Sequence, residues 1–418
     1  MNRPWIREDN DSKVLKLLLF VAWPFGAWLH SLEDPRRKSS YVVFFLFSVL
    51  LLWHMAPTSF SAAYQDFGGI LDEFNEAEIT TEMFWGEVIA FFSFSEEAPK
   101  ELYQDFLTWL VKLYTDNYHF MFALAAIPVA FFQLKSLRLI TSDQHFVLGF
   151  FGLMAMLLML IPRDIIGVQN PRFTTGYWLL VFCILYCFTE KPIKWKYLLP
   201  IPLLPVIHSG MWAAVIMIVA YLLIPKNRRI LEILAICSIP LIFVDIDLRS
   251  YIDYSLMPDN IVKWAERFAS DKSYAKYVTV EGRAGFWWVD SFFEISLKII
   301  YIFMAIQVIR NKRLVFKNYE SRNFYPFFLF MFFFINMIQF IPVLGGRYYG
   351  MWRVFVFFIW FKTFHFSHKD TYRLLLVFYS WYIVRRYGYV LGGALAYNTP
   401  LDIFYMPLPY LMGKGLWW

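Results

Sequence analysis

Charge is scarce in this chain of 418 residues: 17% is Asp, Glu, Lys or Arg, while 59% is hydrophobic and 21% aromatic. That balance excludes a soluble globule of ordinary composition, in which charged residues make up about 25% of the chain. Cysteine is scarcer still. Cys183, Cys187 and Cys237 all fall in apolar stretches, so no disulfide framework is available to the loops and the three read as small core hydrophobes. There is no His-x-x-x-His or Cys-x-x-Cys pair, and the acidic run from Asp72 to Glu78 lacks the glycine turn and closing glutamate of a calcium loop. No metal and no other cofactor is therefore expected. A Walker loop, a dinucleotide fingerprint and a Gly-x-Ser-x-Gly elbow are also lacking, which argues against coupling to a nucleotide. No nucleic acid is expected as a partner. The opening MNRPWIREDNDSK mixes both signs of charge, and the apolar run behind it has no small-residue cleavage pattern, so a cleavable leader is not expected.

What the chain has instead is long apolar runs. They cover about 14–30, 41–57, 118–134, 145–162, 173–189, 230–244, 286–309, 324–343, 350–366 and 374–395, each long enough or nearly long enough to span a bilayer. The expected fold is all-α: one polytopic membrane helical bundle over residues 1–418 with about 10–12 transmembrane or re-entrant helices. Basic residues cluster in one set of connections: Arg36, Arg37 and Lys38; Lys135 and Arg138; Lys191, Lys194 and Lys196; Lys226, Arg228 and Arg229; Arg310, Lys312, Arg313 and Lys317. By the positive-inside rule these face the cytoplasm, and the amino terminus is outside unless the first segment lies in the interface. Two larger external loops follow, 58–117, rich in acidic residues, and 245–284, rich in Tyr and Trp.

Residues 197–225 form one apolar run with basic residues before and after it, too long for a single straight span. A hairpin or re-entrant pair broken around Pro205, His208, Ser209 and Gly210 satisfies both ends; a single long tilted helix is the plainer alternative.

Cations on the outer side run against the charge rule and call for another cause. Arg163 closes one run, Arg172 opens the next, Arg283 precedes another, and Arg347 lies in Gly345-Gly346-Arg347-Tyr348-Tyr349-Gly350, read as a turn, with Arg353 inside the following run. Guanidinium forks match phosphate oxygens in pairs and keep their charge. Arg163 can simply pair with Asp164, and Arg283 can snorkel to the interface. Arg172 and Arg347 have no carboxylate adjacent in sequence, which favours ligand contact. His208 alone among the seven histidines combines apolar surroundings with turn residues, and a neutral imidazole can take a proton from a hydroxyl. Asp66, in Tyr64-Gln65-Asp66-Phe67-Gly68-Gly69, is a second candidate base that could orient a sugar hydroxyl.

Together, Gln-Asn-Pro-Arg172-Phe-Thr-Thr-Gly, the run ending in His208-Ser209-Gly210, the Tyr64/Asp66 turn, the amphipathic stretch from Leu102 to Asp116 and Arg347-Tyr348-Tyr349 resemble the EpsG-like branch of the Wzy polysaccharide polymerases, the O-antigen and exopolysaccharide polymerases. Asn-Pro before Arg172 and Gly176 depart from that pattern, where small alanines are usual. The resemblance implies a GT-C-like membrane glycosyltransferase of the bacterial cytoplasmic (inner) membrane, its site facing the periplasm or cell exterior. It would transfer a growing glycan from undecaprenyl diphosphate to a lipid-linked repeat unit, without nucleotide sugar or metal. Arg172, Arg347, Arg163 and Arg353 are then expected at the diphosphate, His208 or Asp66 as base, and Tyr64, Tyr348 and Tyr349 at the sugars. The expected partners are undecaprenyl-diphosphate-linked oligosaccharides and membrane lipids, with a chain-length regulator and a flippase of the same pathway.

Three other classes stay open. A GT-C enzyme using a polyprenyl-monophosphate sugar would rely on Asp66 or Asp72. A lipid-linked oligosaccharide flippase or transporter would show internal repeats, and none is visible. A membrane O-acyltransferase would also want a deep histidine.

Overall fold

The computed structural model describes residues 10–32, 36–54, 68–76, 79–93, 95, 98–99, 101–141, 160, 170–189, 194–243, 287–339, 342–364 and 402–416. Among them the structure is all-helical, with no strand. In chain order the α-helices are α1 Asn10–Ala22, α2 Pro24–Ser31, α3 Lys38–His54, α4 Gly68–Glu76, α5 Thr81–Phe92, α6 Tyr103–Lys112, α7 His119–Ile140 and α8 Pro171–Phe188. There follow α9 Leu204–Ile207, α10 Trp212–Leu223, α11 Arg228–Cys237, α12 Trp287–Arg310, α13 Lys312–Val315, α14 Tyr319–Met337, α15 Pro342–Phe364 and α16 Leu408–Leu416. The second external loop, 245–284, the expected span at 374–395 and, apart from Leu160, the expected span at 145–162 lie outside the described residues.

Among the described residues two helices, α7 with 22 residues and α8 with 18, are long and apolar enough to cross a membrane. At about 1.5 Å per residue they reach roughly 33 and 27 Å, close to the thickness of a hydrocarbon core.

α8 sits at the centre. Its residues are apolar on every side, and all but Arg172, Phe182 and Tyr186 are buried, the pattern of a helix surrounded by protein. α14 and α15 pack on it as an antiparallel pair: Phe332 stacks on Trp352 at 5.0 Å, Phe324 meets Phe358 edge-on at 5.3 Å, and Glu320 bonds Lys362. Phe188 stacks on Phe327 at 4.4 Å with the Tyr221 ring edge-on to both. Offset and edge-on ring pairs contribute about 0.5–1.5 kcal/mol each beyond the area they bury, so the high aromatic content is spent on specific packing in the core.

α7 runs in the same direction as α8. Phe132 lies against Phe182, and one turn further on the Tyr186 hydroxyl donates to the Lys135 carbonyl at 3.1 Å. α3 runs the other way, its end at Trp53 accepting a bond on its carbonyl from His119 at the start of α7.

The stretch 197–225 goes up α8 and returns. Tyr197 touches Phe182 and Tyr186 near the end of α8, His208 touches Phe173 at its start, and Tyr221 is back beside Phe188. At the top, α9 ends at His208, whose backbone is extended at φ −156° and ψ 122°, and a 3-10 turn Ser209–Met211 leads into α10.

Several local expectations are corrected. The run 14–30 is two helices, because Pro24 lacks the amide to continue α1 and instead starts α2. The break is fixed by the Trp23 indole donating to the Phe404 carbonyl at 2.7 Å. The run 230–244 supplies only α11, ten residues long, followed by a 3-10 turn Ile239–Ile242 around Pro240. Gly345 to Gly350 is no turn: α15 runs through it from Pro342. Gly345 is small because of packing, since a Cβ there would lie 2.8 Å from the Gln339 backbone.

Candidate functional site

The start of α8 is set by a local device. The Asn170 side chain accepts from the Phe173 amide at 3.1 Å, and Pro171 occupies the first turn, where its missing amide costs nothing. This cap fixes Arg172 at the mouth of the helix. Across from it, Arg347 sits in the second turn of α15, and the broken segment His208-Ser209-Gly210 lies between the two.

These parts touch through a small set of contacts. Arg172 Nη1 donates to Glu101 Oε1, and the other oxygen of the same carboxylate, Oε2, accepts from the Ser209 amide at 3.0 Å. The guanidinium carbon of Arg347 lies 5.2 Å from the centre of the Phe173 ring, a cation–π contact. The edge of that ring system also meets His208 at 5.6 Å. A Cβ built on Gly210 would come within 3.7 Å of Arg347 Nη1 and 3.1 Å of the His208 ring. Glycine at 210 therefore keeps the space between the arginine and the histidine open.

Arg172, Arg347 and His208, far apart in sequence, are thus brought to one end of the bundle. Arg353 follows six residues after Arg347 on α15, roughly 9 Å deeper along the axis; it is 3% exposed and acts electrostatically on Tyr177, whose hydroxyl reaches the Gly350 carbonyl at 3.5 Å. Tyr348 and Tyr349 are buried, and their hydroxyls donate to backbone: Tyr348 to the Gly210 carbonyl at 3.1 Å, Tyr349 to the Lys298 carbonyl at 3.2 Å. Tyr348 therefore ties α15 to the break after His208. Asp66, Tyr64, Arg163 and Arg283 lie outside the described residues.

The chemistry of His208 follows from one bond. Its Nδ1 accepts from the Gly210 amide at 2.9 Å, so the neutral ring carries its proton on Nε2. In this geometry His208 is a hydrogen-bond donor through Nε2. While the Gly210 bond is made, the Nδ1 lone pair is occupied.

Arg172 has no carboxylate adjacent in sequence, but the fold brings one from 71 residues away. Glu101 precedes α6, which is anchored by the Leu102 amide donating to the Val206 carbonyl at 3.0 Å and by Thr175 donating to the Tyr103 hydroxyl at 3.3 Å. Burial pushes the Tyr103 phenol up to about 12, keeping it neutral. Two residues on, Asp105 is raised to about 7, chiefly by burial and further by Glu87, Glu73 and Glu101, with Arg172 opposing.

Sequence reasoning missed Glu101 and Phe173. Nothing local separates Glu101 from the neighbouring Glu96 and Glu97, whereas Phe173 could have been suspected from its place beside Arg172 at a helix mouth.

The opposite end of the bundle carries the basic connections. Arg228 lies over Phe316 at 4.8 Å, Lys226 over Trp195 at 5.9 Å, Lys312 bonds Glu232 at 2.8 Å, and Arg138 acts on Tyr41. No protein-family model, no curated protein and no solved structure matches this chain.

Proposed function

We propose that this chain is a polytopic membrane glycosyltransferase that lengthens a glycan carried on a polyprenyl diphosphate, at the outer face of a bacterial cytoplasmic membrane. The observation that carries the reading is the convergence of Arg172 and Arg347 on the broken turn His208-Ser209-Gly210, at the end of the bundle away from the basic connections. Two guanidinium groups and a backbone amide around one seat suit the oxygens of a diphosphate.

A bilayer location is supported by the outside of the bundle. Leu18, Ile216, Leu223, Ile233 and Ile299 are all exposed, on four different helices, which water would penalise and lipid would not. The positive-inside rule then puts the basic end in the cytoplasm and the arginine site outside.

In the reaction, the hydroxyl of a lipid-linked acceptor attacks the anomeric carbon of the donor. The bond from that carbon to the diphosphate oxygen breaks, and the diphosphate leaves with the electron pair. Arg172 and Arg347 stabilise the charge that builds on it. His208, protonated on Nε2, donates a hydrogen bond to the leaving oxygen rather than taking a proton. The hydroxyl proton goes to a carboxylate of the external loop, for which Asp66 is the candidate. A chain-length regulator and a flippase would flank this step.

The test is extension of a lipid-diphosphate-linked oligosaccharide by purified protein in nanodiscs with no nucleotide added. A ladder of longer products is expected. Arg347→Gln should slow it about 10²–10³-fold, the usual cost of one donor to a developing oxyanion. Undiminished extension by this variant, or none by the parent protein, overturns the reading.

A further inference from the structure

Glu101 is bound in the manner of a ligand. One oxygen takes a bond from the Arg172 guanidinium and the other takes one from the Ser209 amide, with Arg347 close to the adjacent Gly210. A guanidinium and a main-chain amide gripping two oxygens of one anionic group is how proteins hold phosphate. The pair is also within reach of solutes: the side chains of Arg172 and Glu101 are 21% and 13% exposed. The backbone beside Glu101 is tethered, through Leu102 to Val206, but the glutamate side chain has three rotatable bonds and can swing away without moving α6.

We propose that Glu101 is a placeholder anion, occupying the diphosphate seat when it is empty and giving it up when a diphosphate group arrives. The inference rests on the diphosphate reading above. A carboxylate brings one negative charge to the seat, whereas a diphosphate brings more charge and more acceptor oxygens, enough to engage Arg347 as well. Displacement is then favourable for the substrate and unfavourable for weaker anions. In the empty state Glu101 keeps Arg172 aimed and the Ser209 amide satisfied, so the seat is ready without refolding.

Binding to the full-length protein in detergent tests this, read by calorimetry with farnesyl diphosphate and inorganic pyrophosphate as probes. Glu101→Gln removes the competing charge and should tighten both probes about tenfold, the worth of one charge-assisted hydrogen bond. Glu73→Gln removes the same charge from neighbouring α4, where the carboxylate accepts from Gln104 and not from Arg172 or Ser209, and should change binding less than about twofold. Arg172→Gln should weaken both probes. Should Glu101→Gln fail to give folded protein, Glu101→Asp withdraws the carboxylate by one methylene and should tighten binding in the same direction. Tighter binding of farnesyl diphosphate alone would assign the seat to the lipid-borne group; equal tightening of both would assign it to the diphosphate itself. Equal effects of Glu101→Gln and Glu73→Gln, or weaker binding in Glu101→Gln, overturn the placeholder while leaving the diphosphate reading intact. Unaltered binding in Arg172→Gln overturns the diphosphate reading, and the placeholder with it.

Discussion

The two ends of the bundle solve the burial of charge in different ways. At the basic end the partners are whole side chains: Lys362, 3% exposed, reaches Glu320 at 2.8 Å, and Glu232 is shared by Lys312 at 2.8 Å and the Tyr325 hydroxyl at 3.1 Å. At the other end Glu101 is divided between a side chain and a main-chain amide, and a second guanidinium rests on the face of Phe173. The first arrangement fixes helix to helix. The second joins the mouth of α8 to the break after His208. Burying ions is costly in both cases; in the second a main-chain amide shares the carboxylate.

The contrast can be broken most strongly at the basic end. Lys362→Met removes the buried cation from Glu320 and should cost about 3 kcal/mol, read as thermal stability in detergent, with most of it recovered in the double variant Lys362→Met/Glu320→Leu. No recovery would mean that the lysine acts through something other than this pair. Gly345→Ala comes next at about 2 kcal/mol, because its Cβ would meet the Gln339 backbone rather than a movable side chain. A smaller change in stability, about 1 kcal/mol, is expected for Gly210→Ala, whose Cβ meets the His208 ring at 3.1 Å. That variant should lose proportionally more extension activity than stability, and equal losses would argue that the gap beside Arg347 has no task.

The last prediction is a slope rather than an offset. The Asp105 carboxyl is raised from 3.8 to about 7, mainly by burial, so the folded protein holds this proton more tightly than the unfolded chain. Its contribution to stability is complete below about pH 4 and is lost as pH rises through about 7. Asp105→Asn should match the parent below about pH 4 and become steadily the more stable of the two as pH rises to about 7, by thermal melts across that range. Parallel curves would show that the carboxyl is not held in this way.

Much of the architecture is legible in the residues themselves. Helical class follows from apolar runs and caps such as Asn170 and Asn318, whose bonds close within three residues. The location of Arg172 at a helix mouth follows from Asn170-Pro171 for the same reason. Helix boundaries near glycine and proline were less legible: Pro24 does break a helix, whereas Gly345 and Gly346 do not. Glycine permits a turn but is equally required for close packing, and the sequence alone does not distinguish the two uses.

Composition, caps and apolar runs by themselves determined an all-helical protein with Arg172 at a helix mouth, because those features act over a few neighbouring residues. Only the tertiary structure decided that Glu101 meets Arg172, that Arg347 lies over Phe173, and that the Gly210 amide fixes the proton of His208 on Nε2. Two of these contacts join segments far apart in the chain, and the third depends on the backbone angles at one break. Neither long-range proximity nor a single dihedral leaves a periodic trace in the sequence.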